Sequence, residues 1–314
     1  IKHVNANSPW LAYDLIRGMD TIGSLKLLPP YGNRDANEGD TIQSTANGFR
    51  IISNSYDTNS SGNDYCYMVI RAGDKAPESS SDVFAIDTLG STSSSALGWT
   101  SGFSVDFGIQ KDTGGGAGYL THRANGYRFK QTVGGGTNGT DTRQIKDDMK
   151  SYYDDSQVLT SYYSWMWKRA RGYFDEQGYI GNSSSFRAIP HNLGVTPELI
   201  ICSDISSGSK DYAVWHKDFD ATQNQLVYLN YTNGLTTSSN VWGSTAPTAT
   251  NFYVGANSIT NPNGPYMFAF LFATYAGISK VGSYEGTGSS QTINCGFSNG
   301  AKFILIKNID GTDD

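Results

Sequence analysis

A stretch that recurs after about 105 residues constrains this chain more than any other feature, because a repeat of that length sets the size of the folding unit. GYIGNSSSFRAIPHNLGVTPELIICSDISSG, beginning at Gly178, matches GSYEGTGSSQTINCGFSNGAKFILIKNIDG near the C-terminus. Tyr179 falls on Tyr284 and Gly181 on Gly286; after one deleted residue Ile189 falls on Ile293, Leu193 on Phe297, Leu199 on Phe303 and Ile200 on Ile304. The run Ile306-Lys307-Asn308-Ile309-Asp310 then reads like Ile1-Lys2-His3-Val4-Asn5, so residue 1 enters a repeat where residue 306 leaves one. WLAYD at 10–14 answers YAVWH at 212–216, and ANGFRI from Ala46 answers ATNFYV from Ala249. An aromatic, alternating strand follows in each copy: YCYMVIRA from Tyr65, YSWMWKRA from Tyr163 and YMFAFLFA from Tyr266.

A unit of about a hundred residues with short alternating strands and Gly/Ser/Asn/Pro turns predicts an all-β chain of tandem β-sandwiches, jelly-roll or lectin-like. Composition agrees: 36 Gly and 20 Tyr with only 17% charged residues is poor in helix formers and rich in strand and turn formers. The repeat maps onto a partial first unit at 1–73, a second at 74–177, a third at 178–282 and the start of a fourth at 283–314. The charged stretch near 141–160 reads as an insertion in the second unit, with Ile145 and Met149 at the spacing of a short helix. In YSWMWKRA, Trp165 and Trp167 share one face with Tyr163, as the period of two requires.

A net charge of −6, without any long basic cluster, argues against nucleic acid and anionic membrane surfaces as partners. The longest apolar run, MFAFLFA, is far too short for a membrane helix. The opening IKHVNANSPW lacks the pattern of a signal peptide or a translation start, so the chain is expected to be cut from a longer polypeptide. Cys66, Cys202 and Cys295 lie in strand-like runs without metal-ligand spacing and are expected to be buried thiols.

Candidate chemistry is sparse. His3, His122, His191 and His216 fall in unrelated repeat positions and read as ordinary surface or edge histidines. A glycosidase would need two carboxylates facing one another across a cleft. Asp154, Asp155, Asp175 and Glu176 are the residues on which such a site would concentrate. DTGGGAG and TVGGGTNGT lack the strand, Lys and helix of a phosphate loop. No metal or cofactor is expected. Aromatics placed where copies differ are the binding candidates, namely Trp242, Tyr152 and Tyr153, since loop aromatics stack on sugar rings. Trp10, Tyr13, Tyr212 and Trp215 recur in register and are expected in the core.

The pattern carried by Tyr179, Gly181, Asn182, Ile189, His191, Leu193, Gly194, Val195, Pro197, Glu198 and Leu199 resembles repeats in large virion proteins of tailed, notably marine, bacteriophages. TAPTATNFYV, GSYEGTG, WMWKRARGYFD and the VFAID and SGFSVDFGIQKDTGGG stretches look like the same repeat. The fourth unit departs from it, with Cys295 and Ala301 at the His and Pro positions. The resemblance implies a non-catalytic tail-fibre or adhesin component of the virion. Its implied partners are other virion proteins, further copies of itself as a homo-oligomer such as a trimer, and host-surface glycans. A capsule polysaccharide depolymerase and a purely architectural decoration protein remain the alternatives.

Overall fold

Strands account for nearly all regular structure in the computed structural model. It describes residues 1–4, 10–13, 42–45, 48–52, 54–70, 75–88, 99–113, 118–123, 128–131, 138–140, 144–145, 151–153, 162–204 and 211–311. Among these the fold is all-β, with a short 3-10 segment, Ser80–Asp82, closed by a capping box between Ser79 and Asp82.

The first unit contributes β1 (Lys2–His3), β2 (Ile42–Thr45), β3 (Gly48–Ile51) and β4 (Tyr65–Cys66). β1 pairs with β4, β2 with β3, and Ile1 and Leu11 exchange backbone hydrogen bonds at 2.8 Å. The second unit holds β5 (Phe84–Asp87), β6 (Trp99–Thr100), β7 (Phe107–Asp112), β8 (Gly118–His122), β9 (Arg128–Gln131), β10 (Asn138–Thr140), β11 (Gln144–Ile145), β12 (Ser151–Tyr153) and β13 (Tyr162–Trp167). The third holds β14 (Phe174–Ile180), β15 (Arg187–Pro190), β16 (Leu199–Asp204), β17 (Ala213–His216), β18 (Gln225–Tyr228), β19 (Thr236–Thr237), β20 (Asn251–Val254) and β21 (Tyr266–Phe272).

The two six-stranded sheets run β5-β13-β7-β8-β9-β10 and β14-β21-β16-β17-β18-β19. Position by position the order is the same: first strand at the edge, last strand beside it, then the third to sixth in sequence. The second layer corresponds as well, with β6 on β12 in one unit and β15 on β20 in the other. Every pairing among the described strands is antiparallel.

Period-two alternation explains how the layers stack. On β21, Met267, Ala269 and Leu271 face an interior closed by Ile189, Trp242, Phe252 and Val254. Phe268 and Phe270 face the other way, into a cluster with Phe107, Leu120 and Trp167 of the second unit. Phe107 and Phe270 lie 4.4 Å apart between ring centroids. With both faces covered, β21 reads as an unbroken apolar run, as doubly buried strands do. Met166 points into the second unit's own interior with Trp99, Phe103 and Val105, whereas Trp167 and the half-buried Trp165 belong to the shared cluster.

Several expectations change. The second and third units each close an interior of their own, and they also share a further cluster between them. β14 crosses the expected boundary at 177/178, and the turn between units is Ala170–Phe174, where the two residues bond each other at 3.0 and 3.1 Å around Gly172 at φ 81. Where the stretch near 141–160 is described it is strand, since Gln144–Ile145 pairs with Tyr152–Tyr153; Met149 lies outside the described residues. From 283 to 311 no strand forms; the segment packs Phe303 against Phe84, Trp165 and Trp167, and the Ile309 carbonyl accepts from the Leu235 amide at 2.7 Å.

Candidate functional site

β14 carries two consecutive carboxylates whose side chains must leave opposite faces of the strand. Asp175 is buried and accepts from Arg169 Nε at 3.1 Å, Gln177 Nε2 at 2.9 Å and the Asn192 amide at 2.7 Å. Glu176 turns toward the second unit, where its Oε1 meets His122 Nδ1 at 3.3 Å. The His122 ring sits 4.0 Å from that of Phe268, and the remaining Glu176 Oε2 and His122 Nε2 have no hydrogen-bond partner. Nearby, Asp106 accepts from Arg123 Nε at 3.1 Å and from the Arg169 amide at 2.7 Å. These groups form a buried polar seam where the two units meet. Asp175 and Glu176 therefore do not converge on a cleft; Asp154 and Asp155 lie outside the described residues.

The residues of the recurring pattern are also taken up by the fold. The Tyr179 hydroxyl donates to Thr260 O at 2.5 Å and lies 2.9 Å from Cys202 Sγ, and burial pushes its pKa well up. Gly181 abuts the Pro262 carbonyl so closely that a Cβ would overlap it. Burial holds the His191 pKa below 6.5 against the raising effects of Thr248 O at 3.1 Å and of Asp175. Burial raises the Glu198 carboxyl, yet Thr274 and Lys217 outweigh it and leave it below 4.5. Thr274 donates to Glu198 from both its amide and its hydroxyl.

The binding candidates separate. Trp242 is 2% exposed inside the third unit, its Nε1–H donating to Gln225 O at 3.0 Å, so it is core and not a ligand platform. Positive φ at Asn240, Gly243 and Ser244 turns that loop inward. The backbones of Tyr152 and Tyr153 sit on β12, between β11 and β6, and their side chains lie outside the described residues. Tyr212 and Trp215 are buried, with Trp215 Nε1–H donating to Gln223 Oε1 at 2.7 Å, and Tyr13 is half-buried. Trp10 departs from its core expectation at 48% exposed. His3, His122 and His191 are buried, not superficial, and only His216 is half-buried. Of the cysteines, Cys202 is buried, Cys295 half-buried and Cys66 exposed. No group of three or more His, Cys, Asp or Glu suited to a metal occurs among the described residues.

The surface that sequence reasoning missed follows Cys66. Met68 and Ile70 are 81% and 80% exposed, and Tyr67 and Val69 are exposed between them, although Tyr67 keeps an edge contact with Phe49 at 5.2 Å. These four successive exposed apolar residues, which follow the two-residue strand β4 and lie outside any strand, form an exposed apolar run. The alternation in YCYMVIRA points to a core strand, and nothing in that local pattern signals that Tyr67–Ile70 are exposed.

Residues 143–314, more than half of the chain, match the model of a family described as a domain of unknown function, DUF7483. No curated protein and no solved structure matches the chain.

Proposed function

We propose that this chain, which belongs to the DUF7483 family, is a non-catalytic structural and adhesion component of a phage virion, a tail fibre or similar appendage. The observation that carries this reading is the pair of successive units with one strand order and a shared apolar core. Such an array holds surfaces at fixed spacing, and several weak sites on one stiff body raise avidity by a factor of about 10² to 10⁴ without new contacts. The buried carboxylates named above are engaged by arginine, amide and imidazole donors, which supports binding over hydrolysis. In this reading Tyr152 and Tyr153 contact host-surface glycan, and the exposed apolar run contacts sibling subunits or other virion proteins.

Purified particles probed with antibody to this chain should carry it on the outside, and absence from the particle overturns the virion assignment. Recombinant chain on a glycan array should lose binding in Tyr152→Ala and Tyr153→Ala. Unchanged adsorption in both variants favours the purely architectural decoration reading, which the burial of Trp242 already supports by removing one of three candidate sugar platforms.

A further inference from the structure

Ala213 pairs with Tyr228 where β17 begins and β18 stops, and the residues on either side bring an acid, an amide and two aromatic rings to one spot. Asn230 closes the ladder there. Its Oδ1 accepts from the Tyr212 amide at 3.1 Å, and the Leu229 amide donates to Tyr212 O at 3.1 Å. With its oxygen engaged, the same side chain turns its amide nitrogen the other way, and Nδ2 donates to Asp211 Oδ1 at 3.1 Å. Ser203 Oγ donates to Asp211 O at 3.0 Å, so the backbone of the acid is held as well. A carboxylate outside any strand is thereby aimed by residues at the ends of two.

Tyr231 donates its hydroxyl to that carboxylate, and this hydrogen bond is the main cause that raises its pKa above 10. After burial, the Asp211 charge also raises Tyr228, so the acid faces both rings. The rings stand edge to face, with centroids 5.5 Å apart at 80°. Tyr228 is half-buried against the core, whereas Tyr231 is exposed and its carbonyl accepts from Lys307 Nζ at 2.8 Å. Unlike Asp175 and Glu176, Asp211 is open to solvent on one side. An ionised carboxylate offers about four acceptor positions. Among the described residues Asn230 and Tyr231 are its side-chain donors, so acceptor capacity remains beside an exposed ring.

We propose that Asp211 and Tyr231, positioned by Asn230 and Tyr228, form a binding site for a neutral hexopyranose. Two adjacent sugar hydroxyls donate to the Asp211 carboxylate while the C–H face of the ring lies on Tyr231. The carboxylate charge disfavours sialic and uronic acids, so neutral sugars are the ligand class. The site is separate from Tyr152 and Tyr153 and does not rest on the virion reading, since its side chains all belong to the third unit.

Saturation-transfer NMR on the full 314-residue chain tests the site, with methyl glycosides of glucose, galactose and mannose as neutral probes and glucuronic and N-acetylneuraminic acids as charged ones. At least one neutral glycoside should show saturable transfer in the millimolar range, strongest at its ring C–H protons, and the acids should show none. Tyr231→Ala should weaken binding about tenfold through loss of the stacking face, and Asp211→Asn roughly 10- to 100-fold through loss of charge-assisted hydrogen bonds. Tyr231→Phe keeps the ring and should cost only a few-fold. Thermal melts should match that of the unaltered chain; where Asp211→Asn lowers the melt, the two Tyr231 variants decide. Absence of transfer to every neutral glycoside overturns the proposal, as does affinity unchanged in Tyr231→Ala or equal transfer to the acids. Absence of the chain from particles would overturn the virion reading and leave this result standing.

Discussion

Phe107→Ala tests whether the second and third units are one mechanical body. Phe107 is buried on β7, 4.4 Å from Phe270 across the shared cluster, 5.2 Å from Trp167 and 5.8 Å from Phe174. Truncating a fully buried Phe removes its transfer energy and leaves a cavity, about 3 to 5 kcal/mol together. That is a large part of the roughly 5 to 15 kcal/mol by which a domain is stable. It multiplies the population of open states by roughly 10² to several 10³. Because two of these three rings, Phe270 and Phe174, lie in the third unit, the cost should be shared. Amide hydrogen exchange by mass spectrometry should therefore accelerate both in peptides covering β8 and in peptides covering β16 and β17, whose own sequence is unaltered. Phe270→Ala should give the mirror result, and the double variant should fall short of additivity by about 0.5 to 1.5 kcal/mol, as for stacked rings. Acceleration confined to the mutated unit would refute the shared core as an energetic link.

Three further outcomes follow from the same contacts. Removing either partner of the His122–Glu176 pair, as in Glu176→Leu or His122→Leu, should cost about 3 to 5 kcal/mol by stranding the other in an apolar seam, while the double replacement should be far milder in chemical denaturation. Trp242→Ala should lower stability by about 3 to 5 kcal/mol in thermal or urea melts while leaving particle adsorption by any residual folded chain unchanged. Acid should act in two windows. His191 and His216 have folded-state pKa values below 6.5, so the unfolded chain takes up protons first and stability falls as pH drops below 6.5, levelling off beneath the lowered values. Glu198, held below 4.5, adds stability that is present above 4.5 and lost as pH falls through its lowered value. Urea midpoints across pH should show both slopes, and His191→Gln should flatten the upper one.

Much of this architecture could be read from residues alone because a repeat and an alternation are local. Tyr65, Tyr163 and Tyr266 marked equivalent last strands, of which Tyr163 and Tyr266 occupy the same place in the two complete sheets. What covers the second face of a strand is not local. YMFAFLF is apolar throughout, which says that both faces are buried, but not that one of them lies under the neighbouring unit. The same limit governs the histidines: nothing in the local sequence of His122 separates an edge imidazole from one pressed on Phe268. Trp242 was misplaced for another reason. The direction of a loop aromatic depends on backbone angles such as the φ of 57 at Asn240 and 61 at Gly243, and one glycine in NVWGSTAPT does not specify them.

An interface made only of aromatic rings and aliphatic side chains is tolerant of sliding, because dispersion contacts at one offset resemble those at the next. The seam between the second and third units removes that freedom. Arg169 reaches Asp175 on β14 through its side chain and Asp106, just before β7, through its backbone amide, so the residue that leads into the turn is tied to both sides of the junction. Glu176 can meet His122 at a single offset of β14 against β8, and every other offset would bury both without a partner, at several kcal/mol. Sequence distance between units is thereby converted into a fixed spatial step. The recurrence of the turn Ala170–Phe174 at Tyr275–Ser279 means that the following segment leaves the third unit by the same local path.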